Sequence, residues 1–460
     1  MKDFEYIYFI GIGGIGMSNL ARYFLLKGRR VGGYDRAESE LTKKLTEEGA
    51  LVHYDDDAKS IPTEFTNNTN TLVVYTPAVP SSHNELNYFK NNNFKVVKRA
   101  QLLGEITKYS DAVCVAGTHG KTTVSSMVAH LFKQSHLNCN AFLGGILKNY
   151  NSNLILSEKS NYTVVEADEY DRSFHWLRPH IAIITSADPD HLDIYGSEES
   201  YKESFEKFTS LIREGGHLIM KKGITLSTQE NDKVKIWSYS EMEGDFHAEN
   251  IRIGNGEIKF DYVSPFGSIE KVSLGVPVKI NIENSIAAMA AAELSGATPE
   301  EIRNAVSSFM GVKRRFEFHL KTNDVVYIDD YAHHPEELKA AITSIKALYP
   351  NKKLTVIFQP HLFSRTRDFA DEFAQCLSQA DDVILLDIYP AREEPIEGIT
   401  SQIIYNKITS IEKNLCSKKD LLNLLVEKKP ELVVTFGAGD IDRMIPEIIK
   451  TLRQIFKLDY

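Results

Sequence analysis

The amino-acid sequence predicts an α/β protein of three domains, on three observations. Its 460 residues leave room for about three domains at roughly 150 residues each. Short β-rich runs alternate with longer helical patterns almost throughout, as in parallel sheets built from βαβ units. Glycine turns link strand to helix at the start of the first unit and again after residue 116.

The elements follow in order. Tyr6 to Ile10 reads as a strand, Met17 to Lys27 as a helix, and Arg30 to Tyr34 and Thr71 to Tyr75 as further strands. A second unit starts at Ala112 to Ala116 and continues through a helix from Lys121 to about Gln134, which puts a boundary near residue 107. Strands at Tyr162 to Val165 and Ile181 to Thr185 and a helix from Glu198 to Arg213 come next. Turn signals at Gly254-Asn255-Gly256 and Pro265-Phe266-Gly267 predict antiparallel β structure over about 235 to 278. Two alanine-rich helices, Asn284 to Leu294 and Pro299 to Phe309, lead to a third unit with strands at Val325 to Ile328, Leu354 to Phe358, Val383 to Leu386 and Leu432 to Phe436. The expected domains are 1–107, 108–312 and 313–460.

Composition narrows the function. Hydrophobic residues at 42% and charged residues at 25% are ordinary for a globular chain and unlike a disordered one. Against 63 Asp and Glu stand 53 Lys and Arg, a net charge of −10, so no global basic field attracts nucleic acid or an anionic membrane. A polyanionic ligand has to be held locally. The N-terminus shows no signal-type apolar region, no run approaches a membrane span, and Cys114, Cys139, Cys376 and Cys416 form no CxxC pair. The expectation is a cytoplasmic protein without disulfides or structural zinc.

Two glycine loops carry the first chemistry. Gly11-Ile12-Gly13-Gly14-Ile15-Gly16 lies between strand and helix, with Asp35 at the end of the next strand where a ribose-binding carboxylate would sit. By pattern alone this is a dinucleotide site or a tight structural turn. The loop Gly117-Thr118-His119-Gly120-Lys121-Thr122-Thr123 is more specific. Its N–H groups would cradle phosphates, Lys121 would reach the β- and γ-phosphates, and Thr122 would offer a hydroxyl to Mg2+. Val115 stands where the longer motif has its first glycine, so the loop is a shortened GxxGKT.

Further candidates end strands or open helices. Glu166-Ala167-Asp168-Glu169-Tyr170-Asp171 gathers four acids, of which Glu166 is the best Mg2+ ligand, and Asp188 to Asp193 offers His191 for a second cation. Asn281 and Asn284 could cap a helix or bond a nucleobase, and spacing favours capping. Arg314-Arg315-Phe316-Glu317 could face a transferring phosphoryl group. Asp329 to Pro335 holds polar groups before a helix, and Gln359 to Arg365 ends with a guanidinium suited to a carboxylate.

In this order the segments resemble the Mur ligase family over nearly the whole chain, most closely its alanine-adding branch; Tyr389-Pro390-Ala391-Arg392-Glu393-Glu394-Pro395 adds to the match. The resemblance implies a Rossmann-like N-terminal domain, a central P-loop ATPase-type mononucleotide-binding domain and a C-terminal Rossmann-like domain. These would bind a UDP-sugar, ATP and an amino acid. Gly11, Gly13, Gly14, Ile15, Gly16 and Asp35 would then hold UDP-N-acetylmuramate instead of NAD. The loop 117–123 would bind ATP together with Asn281, Asn284, Arg315 at the phosphates and Asp330 at the ribose. Thr122 and Glu166 would hold one Mg2+ and His191 a second, while His361 and Arg365 would lie near the L-alanine site. The implied reaction makes an acyl phosphate from the sugar's lactyl carboxylate, which the amine of L-alanine then attacks. The rival within the family joins a preformed tripeptide to the same sugar nucleotide. Ser186 departs from the asparagine of many relatives, and Val276 to Ile280 departs from their Gly- and His-containing run. A monomer or weak homodimer is expected, with no membrane or nucleic-acid partner.

Overall fold

A computed structural model describes residues 4–76, 78–190, 192–228, 233–391, 393–410 and 412–458. The first sheet is wholly parallel: β1 (Tyr6–Ile10), β2 (Arg30–Tyr34), β3 (Leu51–His53), β4 (Thr71–Tyr75) and β5 (Lys95–Lys98) lie in the order 3-2-1-4-5. Period-2 alternation explains its two coats. Ile7 and Phe9 face the core under helix Ile15–Leu26, and Tyr8 and Ile10 face the opposite core with Leu86 and Phe89 of helix Asn84–Asn91.

The central sheet contains β6 (Asp111–Ala116), β7 (Asn140–Leu147), β8 (Ser152–Ile155), β9 (Tyr162–Glu166), β10 (Ile181–Ile184), β11 (His217–Lys221) and β12 (Lys235–Tyr239). Their order is 12-11-10-6-9-7-8, parallel except for β8. On one face Val113 and Val115 pack with helices Lys121–Gln134 and Ile280–Leu294. The latter contributes Ala287, Ala288, Ala290, Ala291 and Ala292, all fully buried, whose small side chains let the two helices approach closely. β13 (His247–Gly254), β14 (Glu257–Ser264) and β15 (Gly267–Ser273) form a separate antiparallel meander.

The last sheet, β16 (Glu317–Lys321), β17 (Val326–Asp330), β18 (Leu354–Phe358), β19 (Asp382–Leu385), β20 (Glu412–Leu415) and β21 (Leu432–Phe436), has the order 16-17-21-18-19-20. All its pairings are parallel except that of β16. One core cluster takes residues from the central and last sheets, and another takes them from the first and central sheets.

The structure corrects the sequence expectation in four places, one of them the helix expected from Asn284, which begins at Ile280. The antiparallel stretch begins only at 247, because β12 pairs in parallel with β11. The helix from Glu198 stops at Thr209, capped by a turn at Ser210 instead of running to Arg213. The third unit opens with β16, an antiparallel edge strand that the reading from Val325 onward omits.

Candidate active site

In the central sheet the order reverses at β6, flanked by β9 and β10, so the loop after β6 opens at a topological switch point. Gly117 and Gly120 have φ of +145° and +84°, conformations that disfavour other residues. A Cβ at Gly117 would also collide with Thr185 Oγ1. Ser186 Oγ accepts the His119 N–H at 2.7 Å, so the serine that departs from the family pattern still braces the loop. Thr118 Oγ1 donates to the Asp188 carbonyl at 2.6 Å and meets Tyr201 Oη at 2.9 Å.

Lys121 Nζ donates to the Gly117 carbonyl at 2.6 Å and to Glu169 Oε1 at 2.8 Å. Glu169 is 2% exposed, and burial raises its pKa against the lowering effect of Lys121. Tyr195 Oη donates to the Glu169 carbonyl. Thr122 Oγ1 donates to Glu166 Oε1 at 3.0 Å, and the Gly144 N–H donates to Oε2 at 3.0 Å. A Cβ at Gly144 would run into that carboxylate, which is why the backbone there is bare. Burial pushes the Glu166 carboxyl up, while Thr122, Gly144 and Lys121 pull it back. This hydroxyl and carboxylate are a pair of hard oxygens suited to a divalent cation. Among the described residues no group of three or more His, Cys, Asp or Glu could hold a metal ion, so phosphate oxygens and water would have to complete such a site. His191 lies outside the described residues.

Two cavities adjoin this centre. The larger, of about 590 Å3, is lined by Thr118 to Thr123, Glu166, Asn281, Asn284, Arg315 and Asp330, and by Glu336, Glu337, Ala340, Ala341 and Ser344 from helix Pro335–Leu348. It gathers the loop and the four distant residues expected beside it. Asn281 and Asn284 sit within helix Ile280–Leu294, whose N-cap is Lys279, so the capping alternative is wrong. Asn281 Nδ2 donates to the Val276 carbonyl at 3.1 Å, and Asn284 Nδ2 to Asn281 Oδ1 at 3.1 Å. Asp330 accepts the Ala332 N–H at 2.7 Å and the Phe316 N–H at 2.8 Å, which fasten the chain on both sides of β17. Burial raises its carboxyl to about 6.

The smaller cavity, of about 380 Å3, runs between the first and central sheets. Its walls include Ile15, Gly16, Asn19 and Arg99 on one side, and Gly144, Glu166 and Asp168 on the other. Glu166 lines both cavities. In the first glycine loop, Gly11 has φ of +85°. Gly13 N–H donates to Asp35 Oδ2 at 2.7 Å, and a Cβ on Gly13 would stand 2.9 Å from that oxygen. Asp35 therefore braces the loop with its own anion. Gly14 is the N-cap of helix Ile15–Leu26.

His361 and Arg365 line neither cavity. The His361 ring stacks on Tyr389 at 5.8 Å and meets His333 at 6.0 Å. Arg365 follows in helix Phe363–Asp368, with Nη1 buried and without a hydrogen-bond partner. Burial chiefly lowers the His333 pKa, and the Arg365 and Arg315 charges add to that. Gly144, Glu169, Thr185 and Arg99 are the site residues that sequence reasoning missed. Glu169 was visible only as one of four neighbouring acids.

A shortened phosphate loop at the switch point of a parallel sheet, walled by a second α/β unit, defines a nucleotide-binding α/β protein. Comparison with known proteins narrows this. Residues 6–110, 115–292 and 314–439 match the family descriptions "Mur ligase family, catalytic domain", "Mur ligase middle domain" and "Mur ligase, glutamate ligase domain". The chain is 59% identical over 449 residues to a UDP-N-acetylmuramate–L-alanine ligase of Phocaeicola vulgatus, covering 97% of this chain and 98% of that one. It is 60% identical over 453 residues to the protein of the same name from Parabacteroides distasonis, covering 98% of each. The crystal structure of the UDP-N-acetylmuramate-alanine ligase of Thermotoga maritima superposes with a TM-score of 0.75 at 27% identity, over 98% of this chain and 99% of that one. The chain belongs to the Mur ligase family.

Proposed function

We propose that the chain joins L-alanine to the lactyl carboxylate of UDP-N-acetylmuramate, driven by ATP, and forms UDP-N-acetylmuramoyl-L-alanine, ADP and phosphate for peptidoglycan synthesis. The observation that carries the reading is Glu166, which faces the loop cavity on one side and the inter-sheet cavity on the other. A phosphoryl donor and an acceptor carboxylate in these cavities would meet at one wall. Relatives at 59% and 60% identity bear the name of this activity.

The roles follow from charge. ATP would occupy the larger cavity, with its phosphates on the N–H groups of the loop, and Lys121 would leave Glu169 to neutralise the γ-phosphate. Thr122 and Glu166 would hold Mg2+, which screens the phosphate charge from the approaching carboxylate. His191 remains the expected ligand of a second ion. Arg315 and the two asparagines, which line the same cavity, would face the nucleotide, and Asp330 fixes the backbone beside it. UDP-N-acetylmuramate would use the first glycine loop and the inter-sheet cavity, with 1–107 as its domain, 108–312 as the ATP domain and 313–460 as the amino-acid domain. Arg365, with a buried and unsatisfied N–H, would pair with the L-alanine carboxylate beside His361. All four cysteines are free thiols, in keeping with a cytoplasmic setting. Among the described residues no helix is long and apolar enough to cross a membrane. Sedimentation should find a monomer or weak homodimer.

The test is phosphate release from ATP with Mg2+ and UDP-N-acetylmuramate, adding either L-alanine or the L-Ala-γ-D-Glu-diaminopimelate tripeptide. Turnover with L-alanine is expected. Turnover with the tripeptide alone would overturn the reading in favour of peptidoglycan recycling.

A further inference from the structure

We propose that Arg99 binds an anionic oxygen of the sugar nucleotide, from either its diphosphate or its lactyl carboxylate. The inference rests on the function proposed above and assigns a residue that the glycine motif does not contain. Arg99 opens helix Arg99–Lys108, and its guanidinium lies against the first turn of helix Ile15–Leu26. A Cβ at Gly16 would stand 2.8 Å from Nη1, 3.3 Å from Cδ and 3.4 Å from Cζ. The last glycine of the loop is thus bare because a cation occupies the space beside it. That cation adds to the unsatisfied N–H groups of a helix N-terminus, which already favour negative charge.

The cavity supplies an independent argument. Among the described residues Arg99 is the one Lys, Arg or His lining the inter-sheet cavity, and Glu166 and Asp168 lie in the same lining. Its side chain makes no hydrogen bond or ion pair with any described residue. A partly buried guanidinium without a partner is satisfied most strongly by a planar or tetrahedral anion, which its N–H fork binds in bidentate fashion. A sugar nucleotide entering here brings several negative charges towards two carboxylates. Arg99 is placed to offset that repulsion.

The experiment compares wild type with Arg99→Met and Arg99→Gln, by steady-state kinetics and by calorimetric titration with UDP, UDP-N-acetylglucosamine and UDP-N-acetylmuramate. Loss of one charge-assisted contact should raise KM for UDP-N-acetylmuramate about ten-fold or more, with KM for ATP and L-alanine within about two-fold of wild type. Weaker binding of all three ligands would identify the diphosphate as partner, and weaker binding of UDP-N-acetylmuramate alone the lactyl carboxylate. Gly16→Ala, which displaces the guanidinium, should weaken the same ligands. Unchanged affinity for all three in either folded variant overturns the proposal, as does an equal rise in all three KM values. Absence of wild-type turnover with UDP-N-acetylmuramate and L-alanine would instead overturn the function on which it rests.

Discussion

Lys121 holds the point charge of the loop, and its resting bonds to Gly117 and Glu169 tether it in the wall of the larger cavity. Lys121→Ala should lower kcat by at least about a hundred-fold, as removal of a cation at a transferring phosphoryl group does, with the unfolding midpoint near wild type. Phosphate-release rates read beside thermal melts check it, and turnover at the wild-type rate would remove Lys121 from the site. A second expectation concerns Glu85, whose carboxylate accepts the Tyr8 hydroxyl at 2.8 Å and is fully buried. Burial raises its pKa to about 8 from an ordinary 4.5. The folded chain therefore binds a proton there that the unfolded chain has released. Its contribution to stability is whole below about 4.5 and is lost as pH climbs towards about 8. Glu85→Gln should be more stable than wild type by a margin that widens between pH 5 and pH 8, a trend that melts at several pH values would reveal. The loop 117–123 was legible because glycine, lysine and hydroxyl residues in that spacing serve few other ends. Gly144 and Thr185 were not, since each matters through a contact with a residue far along the chain.

Secondary-structure elements were most legible where burial on both faces left a continuous apolar run. Leu354–Phe358 and Leu432–Phe436, buried throughout, have the limits read from sequence, and so does Thr71–Tyr75, buried up to Val74. β12 was misassigned because its half-exposed run resembles the hairpins that follow, and its partner β11 cannot be seen from local pattern. Helix Pro299–Ser308 starts with a reciprocal cap: Thr298 Oγ1 accepts the Glu301 N–H at 3.3 Å, and Glu301 Oε2 accepts the Thr298 N–H at 2.9 Å. Thr298→Ala should cost about 1 kcal/mol in urea unfolding while KM for ATP stays unchanged. A loss below about 0.3 kcal/mol would mean that Pro299 and the acidic first turn hold the helix start without the hydroxyl.

Three α/β units in sequence were foreseen from rhythm alone, but the cavities between them were not, because they arise where surfaces distant in sequence meet. The larger one has walls from the central sheet and from helix Pro335–Leu348, so a non-hydrolysable ATP analogue should stabilise the assembled chain. At a hundred times its Kd the gain is about 2.7 kcal/mol, readable as a rise in melting temperature that Lys121→Ala should diminish. An equal rise in that variant would show that the phosphates are held by other groups.

Glu166 belongs to two compartments at once, which makes it a party wall. Any charge lodged on one side changes the field felt on the other. Linkage then obliges the neighbours to behave symmetrically: whatever factor a nucleotide imposes on sugar-nucleotide affinity, the sugar nucleotide returns in full. Each tenant of the enzyme sets the terms on which the other is admitted.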